Sequence, residues 1–151
     1  MITLLFIIML VALVIWVGGI IFFSFVAAPA IFQVLAKEDA GRLVRAIFPR
    51  YYKLGIGCGV LTTLSLAGLG IVSGRLTGPL AADIVIVTMM MCLTIYSLVL
   101  VPRINAARDA GQEQEERFKK LHRRSVVVNA VVLFLGLAAL AVIAHFLMNP
   151  I

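Results

Sequence analysis

The chain has 151 residues, 63% of them hydrophobic, with a mean hydropathy of +1.14. Ordinary soluble domains are about half apolar, so this composition excludes one, and the length leaves room for a single domain. The formal net charge of +6 would suit nucleic acid, but the cations flank apolar runs and no soluble domain exists to present them, so nucleic acid is not expected as a partner.

Charge placement sets the topology. Five basic residues fall between Lys37 and Lys53 and seven between Arg103 and Arg124, against a lone Arg75 elsewhere. Between them lie four uncharged stretches, Ile2 to Ala36, Leu54 to Gly74, Ile84 to Pro102 and Ser125 to Ile151. Each reaches the roughly 20 apolar residues that a bilayer requires. The expectation is an all-α integral membrane protein, an antiparallel bundle of four transmembrane helices over about 2–36, 51–74, 81–106 and 113–148. Both basic connections then share one side, which the positive-inside rule makes cytoplasmic, with both termini outside. A multi-pass protein of a bacterial inner (plasma) membrane fits, with membrane lipids as partners touched by the flanking cations.

In the first run no positively charged region precedes the apolar stretch, which exceeds the length of a signal-peptide core, so it is expected to stay as a membrane helix. Pro29 near its cytoplasmic end predicts a bend. Trp16 stands midway, away from the interfaces that tryptophan favours, and shares a face with Gly19 and Phe23; inward packing is expected. The following link carries Phe48-Pro49-Arg50-Tyr51-Tyr52, a helix-start proline with interfacial aromatics.

In the second run Gly55 and Gly59, continued by Thr63 and Ala67, form a row of small residues, and Gly70 and Gly74 form a second pair. Such rows let helices approach closely. Packing within the bundle is the expected use, with a homo-oligomer through the Gly55/Gly59 face as the alternative. Asp83, near the start of the third helix, reads as a cap suited to the helix dipole. Cys58 and Cys92 lie inside apolar runs and are expected as free thiols. Met89-Met90-Met91-Cys92 invites a soft-metal reading with Cys58, Met89 and Cys92 as ligands, although consecutive methionines point around a helix and also serve as apolar filler. The Arg103 to Arg124 connection predicts a solvated helical hairpin, with Glu113 and Arg117, Glu115 and Lys119, and Glu116 and Lys120 as acid-before-base pairs.

Uncharged spans draw attention to their few polar side chains, because a polar group in hydrocarbon is costly unless paired. At 1.5 Å per residue, Ser24, Tyr96, Ser97 and Asn129 all fall within roughly 10 Å of the cytoplasmic face. Tyr51 or Tyr52 adds to them, and His122, Ser125 and Asn129 share one face of the fourth helix. Together these predict a pocket open to the cytoplasm, lined by Trp16, Phe23, Ser24, Tyr51, Asn105, Arg108, His122, Ser125 and Asn129. In it Arg108 and His122 would meet a negative group, Ser125 and Asn129 would hydrogen-bond it, and Trp16 and Phe23 would contact an apolar portion. The function read from this is binding, or transport, of a small amphipathic or anionic ligand. Soft-metal binding or export is the alternative, and a structural or assembly subunit a third. No nucleophile and base pair, phosphate-cradling loop or intramembrane acidic pair is present, so neither an enzyme nor a resident cofactor is expected.

Trp16-Val17-Gly18-Gly19, Phe22-Phe23 through Ala28-Pro29, Phe32, the Phe48 to Tyr52 block, Pro102, Asn105, Arg108, Leu121-His122, Ser125 and Asn129 carry a family resemblance. In these blocks the chain resembles the four-span membrane family called domain of unknown function 4149, which includes eukaryotic transmembrane protein 205. The resemblance implies the four-helix bundle and brings no settled activity; eukaryotic relatives linked to tolerance of platinum drugs imply secretion or export of soft-metal compounds. The architecture is also similar to haem-containing protoporphyrinogen oxidases and copper-resistance D proteins, which rely on intramembrane histidines that the first three runs lack.

Overall fold

In the computed structural model, which describes residues 1–74 and 78–148, the described chain is helical throughout with no strand. The first rod consists of α1 (Ile2–Phe22), a π-helical turn (Phe23–Ala27) and α2 (Ala28–Val34). Pro29 has no N–H to return to the preceding turn, and the helix widens just before it: the Ala28 N–H reaches back five residues to the Phe23 carbonyl. The expected bend thus takes the form of one wide turn. Beyond it α2 buries no residue, and the chain leaves the rod at Leu35 in extended conformation.

α3 (Lys37–Ser73) departs from expectation at its start. The sequence placed the helix boundary near residue 51, after Pro49; the helix instead begins at Lys37 and runs through the proline. Pro49 removes only the donor for the Arg45 carbonyl, and the residues before it favour helix on their own account. Glu38 and Asp39 occupy the first turn, where they suit the dipole, and Arg42 pairs with both. One turn on, the Arg50 guanidinium donates to the Ala46 carbonyl at 2.6 Å. α3 ends at Gly74, whose φ of 64° is the left-handed conformation that glycine adopts without steric cost.

α4 (Gly78–Asp109) runs through Pro102 in the same way, and a 3-10 turn (Gly111–Gln114) entered through Gly111 at φ 65° leads into α5 (Glu115–Met148). The expected helical hairpin is present. Its ion pairs are redistributed: Lys119 takes Glu115 at 3.0 Å and Glu116 at 3.1 Å, while Arg117 bonds Gln114 rather than Glu113.

Among the described residues, four helices are long and apolar enough to cross a membrane. The 37 residues of α3 extend about 55 Å, against a hydrocarbon core of about 30 Å, so its charged first half projects well beyond the apolar zone. The helices close a ring in which α4 packs against α3 and α5, and α1 against α3 and, more lightly, α5. Neighbours are antiparallel: Leu5 meets Gly68 and Trp16 meets Gly55, while Gly59 meets Met91 and Gly70 meets Leu80. Met9, Leu13, Trp16, Leu66, Val87, Met90, Val132 and Ala139 fill the interior, and large apolar side chains such as Leu64, Ile71 and Phe134 cover the outside. That exterior suits lipid, not water.

Two expectations are corrected here. Asp83 lies more than a turn inside α4 and is only 4% exposed, with its Oδ1 lacking a hydrogen bond among the described residues, so it is a buried carboxyl and not a helix cap. The Gly55/Gly59 face, offered as a contact for a second copy, is covered within the chain: a Cβ on Gly55 would stand 2.6 Å from Trp16 Nε1, and one on Gly59 2.9 Å from Trp16 Cζ3.

Candidate functional site

At the charged end of the bundle, the π-turn, α3, α4 and α5 each contribute polar side chains at one level. Tyr51 Oη donates to Asn129 Oδ1 at 2.8 Å, and Asn129 Nδ2 donates to Ser24 Oγ at 3.3 Å, so a single amide ties α3, α5 and the π-turn together. Beside it the hydroxyls of Tyr52 and Ser125 lie 3.2 Å apart within hydrogen-bonding distance. Ser97 of α4 is buried at the same level, and its Oγ lacks a hydrogen bond of sound geometry among the described residues. Tyr51 and Tyr52 are adjacent in sequence yet reach different partners on α5, because successive residues point about 100° apart around a helix.

Phe23, Phe48, Tyr51 and Tyr52 stack beside this layer. Ring centroids are 5.3 Å apart for Phe23 with Phe48 and with Tyr51, 5.7 Å for Phe48 with Tyr52, and 5.1 Å for Tyr51 with Tyr52. Aromatic pairs contribute about 0.5–1.5 kcal/mol each beyond area burial, so the cluster locks the polar layer in place. Trp16 is 4% exposed and lies flat over Gly55 and Gly59, deeper in the bundle than the tyrosines.

Farther out, Arg108 rests on Gly41 of α3 and donates to the Lys37 carbonyl at 3.3 Å. Asn105, one turn before it, is half-buried and makes no hydrogen bond among the described residues. His122 stacks on Phe118 at 5.8 Å. It stands before Ser125, three residues outside the uncharged run of α5. Arg45 clips α3 to α4 through both carboxylate oxygens of Asp109, at 2.6 and 3.2 Å.

The nine expected lining residues therefore divide into three groups. Ser24, Tyr51, Ser125 and Asn129 meet in the layer and bond one another or Tyr52; Trp16 and Phe23 are packed against protein; Asn105, Arg108 and His122 stand farther out, toward the charged connections. Tyr96, counted at the same depth, points outward with Arg124 over its ring at 6.0 Å. The alternative sulfur site does not assemble. Cys58 is buried on α3, whereas Met89 and Cys92 are exposed on the outer side of α4, and it is Met91 that turns toward α3, with Sδ 3.7 Å from Thr63 Oγ1. Among the described residues no group of three or more His, Cys, Asp or Glu stands close enough to hold a metal.

Sequence reasoning passed over Phe48 as part of the cluster and the Arg45–Asp109 clip. Phe48 lies three residues before Tyr51 and four before Tyr52, a spacing that signals a shared helical face once the helix is known to start before Pro49. The clip joins residues far apart in the chain and had no local signal.

A family model described as domain of unknown function (DUF4149) matches residues 11–113. The chain belongs to the DUF4149 family. Within this DUF4149 protein the match takes in Trp16, Phe23, Ser24, Tyr51, Asn105 and Arg108 and ends before the α5 residues. A protein of Aquifex aeolicus (strain VF5), described as an uncharacterized protein, is 30% identical over 122 residues, covering 81% of this chain and 83% of its own. No solved structure matches.

Proposed function

We propose that this DUF4149 protein binds a small anionic or amphipathic molecule at the charged end of its bundle, in a bacterial plasma membrane with that end facing the cytoplasm and both termini opposite. The sidedness rests on the basic residues of the two charged connections, and the bacterial membrane on the bacterial relative.

One observation carries the binding reading: in the layer all but Ser97 bond one another, whereas Asn105 and Arg108 outside it are little used. Tyr51, Asn129, Ser24, Tyr52 and Ser125 bond one another, whereas Asn105 has no partner among the described residues and Arg108 has a single long bond to a carbonyl. A ligand entering at the mouth therefore meets an unused amide and a guanidinium without breaking the layer beneath. The layer acts as a floor. Movement of a ligand past it requires the Tyr51–Asn129 bond to open, which makes transport a separate step from binding.

The test is native mass spectrometry of the full chain released gently from bacterial membranes. A reproducible organic adduct is expected in the parent protein, lost in Asn105→Ala and Arg108→Ala and kept in Lys53→Ala. No adduct, or equal retention in all four proteins, rejects the proposal.

A further inference from the structure

A concavity at the charged end lies apart from the polar layer. It is a groove of about 330 Å³ between α4 and the hairpin turn, lined by Pro102, Arg103, Ala106 and Ala107 on one side and by Gln114 and Arg117 on the other. Arg108 belongs to a different face of α4, against Gly41 of α3.

The lining is basic without compensation. Arg42, Arg45 and Lys119 each hold a carboxylate. Arg103 makes no ion pair among the described residues, and Arg117 donates to the neutral amide oxygen of Gln114 at 3.2 Å. No acidic side chain lines the groove. Two guanidinium groups on one concave surface create a positive potential that selects an anion, and their forked donors match the oxygens of a phosphate.

The height of the groove says which phosphate. Pro102 closes the uncharged run of α4, so Arg103 is the first cation beyond hydrocarbon; Arg117 precedes Ser125, where the uncharged run of α5 begins, by about 12 Å of helix. The headgroup layer is about 5–8 Å deep on each side of the hydrocarbon, so the groove runs from that layer, at Arg103, to about 4–7 Å above it, at Arg117. Directly below, on the same face of α4 as Arg103, Val99 and Ile95 are exposed and apolar at successive turns. A cationic mouth over an apolar stripe has the form of a phospholipid, charged at one end and greasy along the other.

We propose that this groove binds a membrane phospholipid by its headgroup phosphate, Arg103 and Arg117 holding the phosphate oxygens while an acyl chain lies along Val99 and Ile95. The site is independent of the ligand proposed for the mouth at Arg108 and Asn105.

The full chain in neutral detergent, loaded with phosphatidylglycerol and read by native mass spectrometry, tests this. The parent protein is expected to retain the lipid, and the Arg103→Gln/Arg117→Gln double variant to bind it about thirtyfold more weakly, the loss for two surface cations. Lys120→Gln/Arg123→Gln removes the same charge outside the groove and is expected to bind as the parent does. Both arginines are exposed, so circular dichroism of the double variant is expected to match the parent. Equal weakening in the two double variants, or none in either, overturns the site. Displacement of the lipid by inorganic phosphate at low concentration would show that the groove recognises the free anion and overturn the lipid assignment.

Discussion

Asn129 accepts from Tyr51 through its oxygen and donates to Ser24 through its nitrogen, using both ends of its amide in one plane of the bundle. Counting depth along each run brought these residues together in advance, because a helix rises a constant 1.5 Å per residue whatever it packs against. The count could not say that they would satisfy one another, since rotation about each axis is set by tertiary packing. It failed at Asp83 for the same reason: proximity to a helix start suggested a cap, and the rotation of α4 turned the carboxyl inward. An unpaired buried polar group costs about 1–3 kcal/mol in protein mutational data. Asp83→Val is therefore expected to raise stability to thermal unfolding in detergent by an amount in that range, and a loss of stability would show that the carboxyl has a partner or a use.

At the level of the helix pair, the decisive contact is Trp16 on Gly55 and Gly59. The row of small residues was readable as a place of close approach, and the midway tryptophan as an inward-facing ring; that one fits the other depends on the antiparallel register of α1 and α3, which no local pattern in either helix encodes. A methyl group at Gly55 would stand 2.6 Å from the indole nitrogen, inside contact distance, and the ring has Met91 beyond Gly59 to limit its retreat. Gly55→Ala is expected to destabilise by about 1–3 kcal/mol, the usual cost of overpacking a filled interior. Combining it with Trp16→Phe should recover part of the loss, as measured by thermal unfolding; a neutral Gly55→Ala would mean that the two helices are less tightly apposed. The start of α3 was misjudged because Pro49 is a boundary signal only when nothing upstream sustains the helix, and here the Glu38, Asp39 and Arg42 turn does.

For the molecule as a whole, the number of spans was legible because hydrocarbon excludes charge and the cations mark where each run stops. The order of helices around the ring was not, since lipid outside and side chains inside are both apolar and composition hardly distinguishes them. The sidedness proposed from the two basic connections is open to direct test. In a chain with Cys58→Ala and Cys92→Ala, a cysteine placed at Gly111 is expected to react with a membrane-impermeant maleimide in inverted vesicles and to stay unlabelled in intact cells; the opposite pattern would invert the topology.

The widened turn at Phe23–Ala27 separates two phases of one rod. It contains the residue that a regular helix would lack, so the bundle-facing side of α1 and the direction taken by α2 are set independently on either side of it. When two chains of this kind are compared, a single-residue gap within that turn is then to be read as loss of the wide turn alone, with α2 keeping its facing and the bundle beneath unchanged.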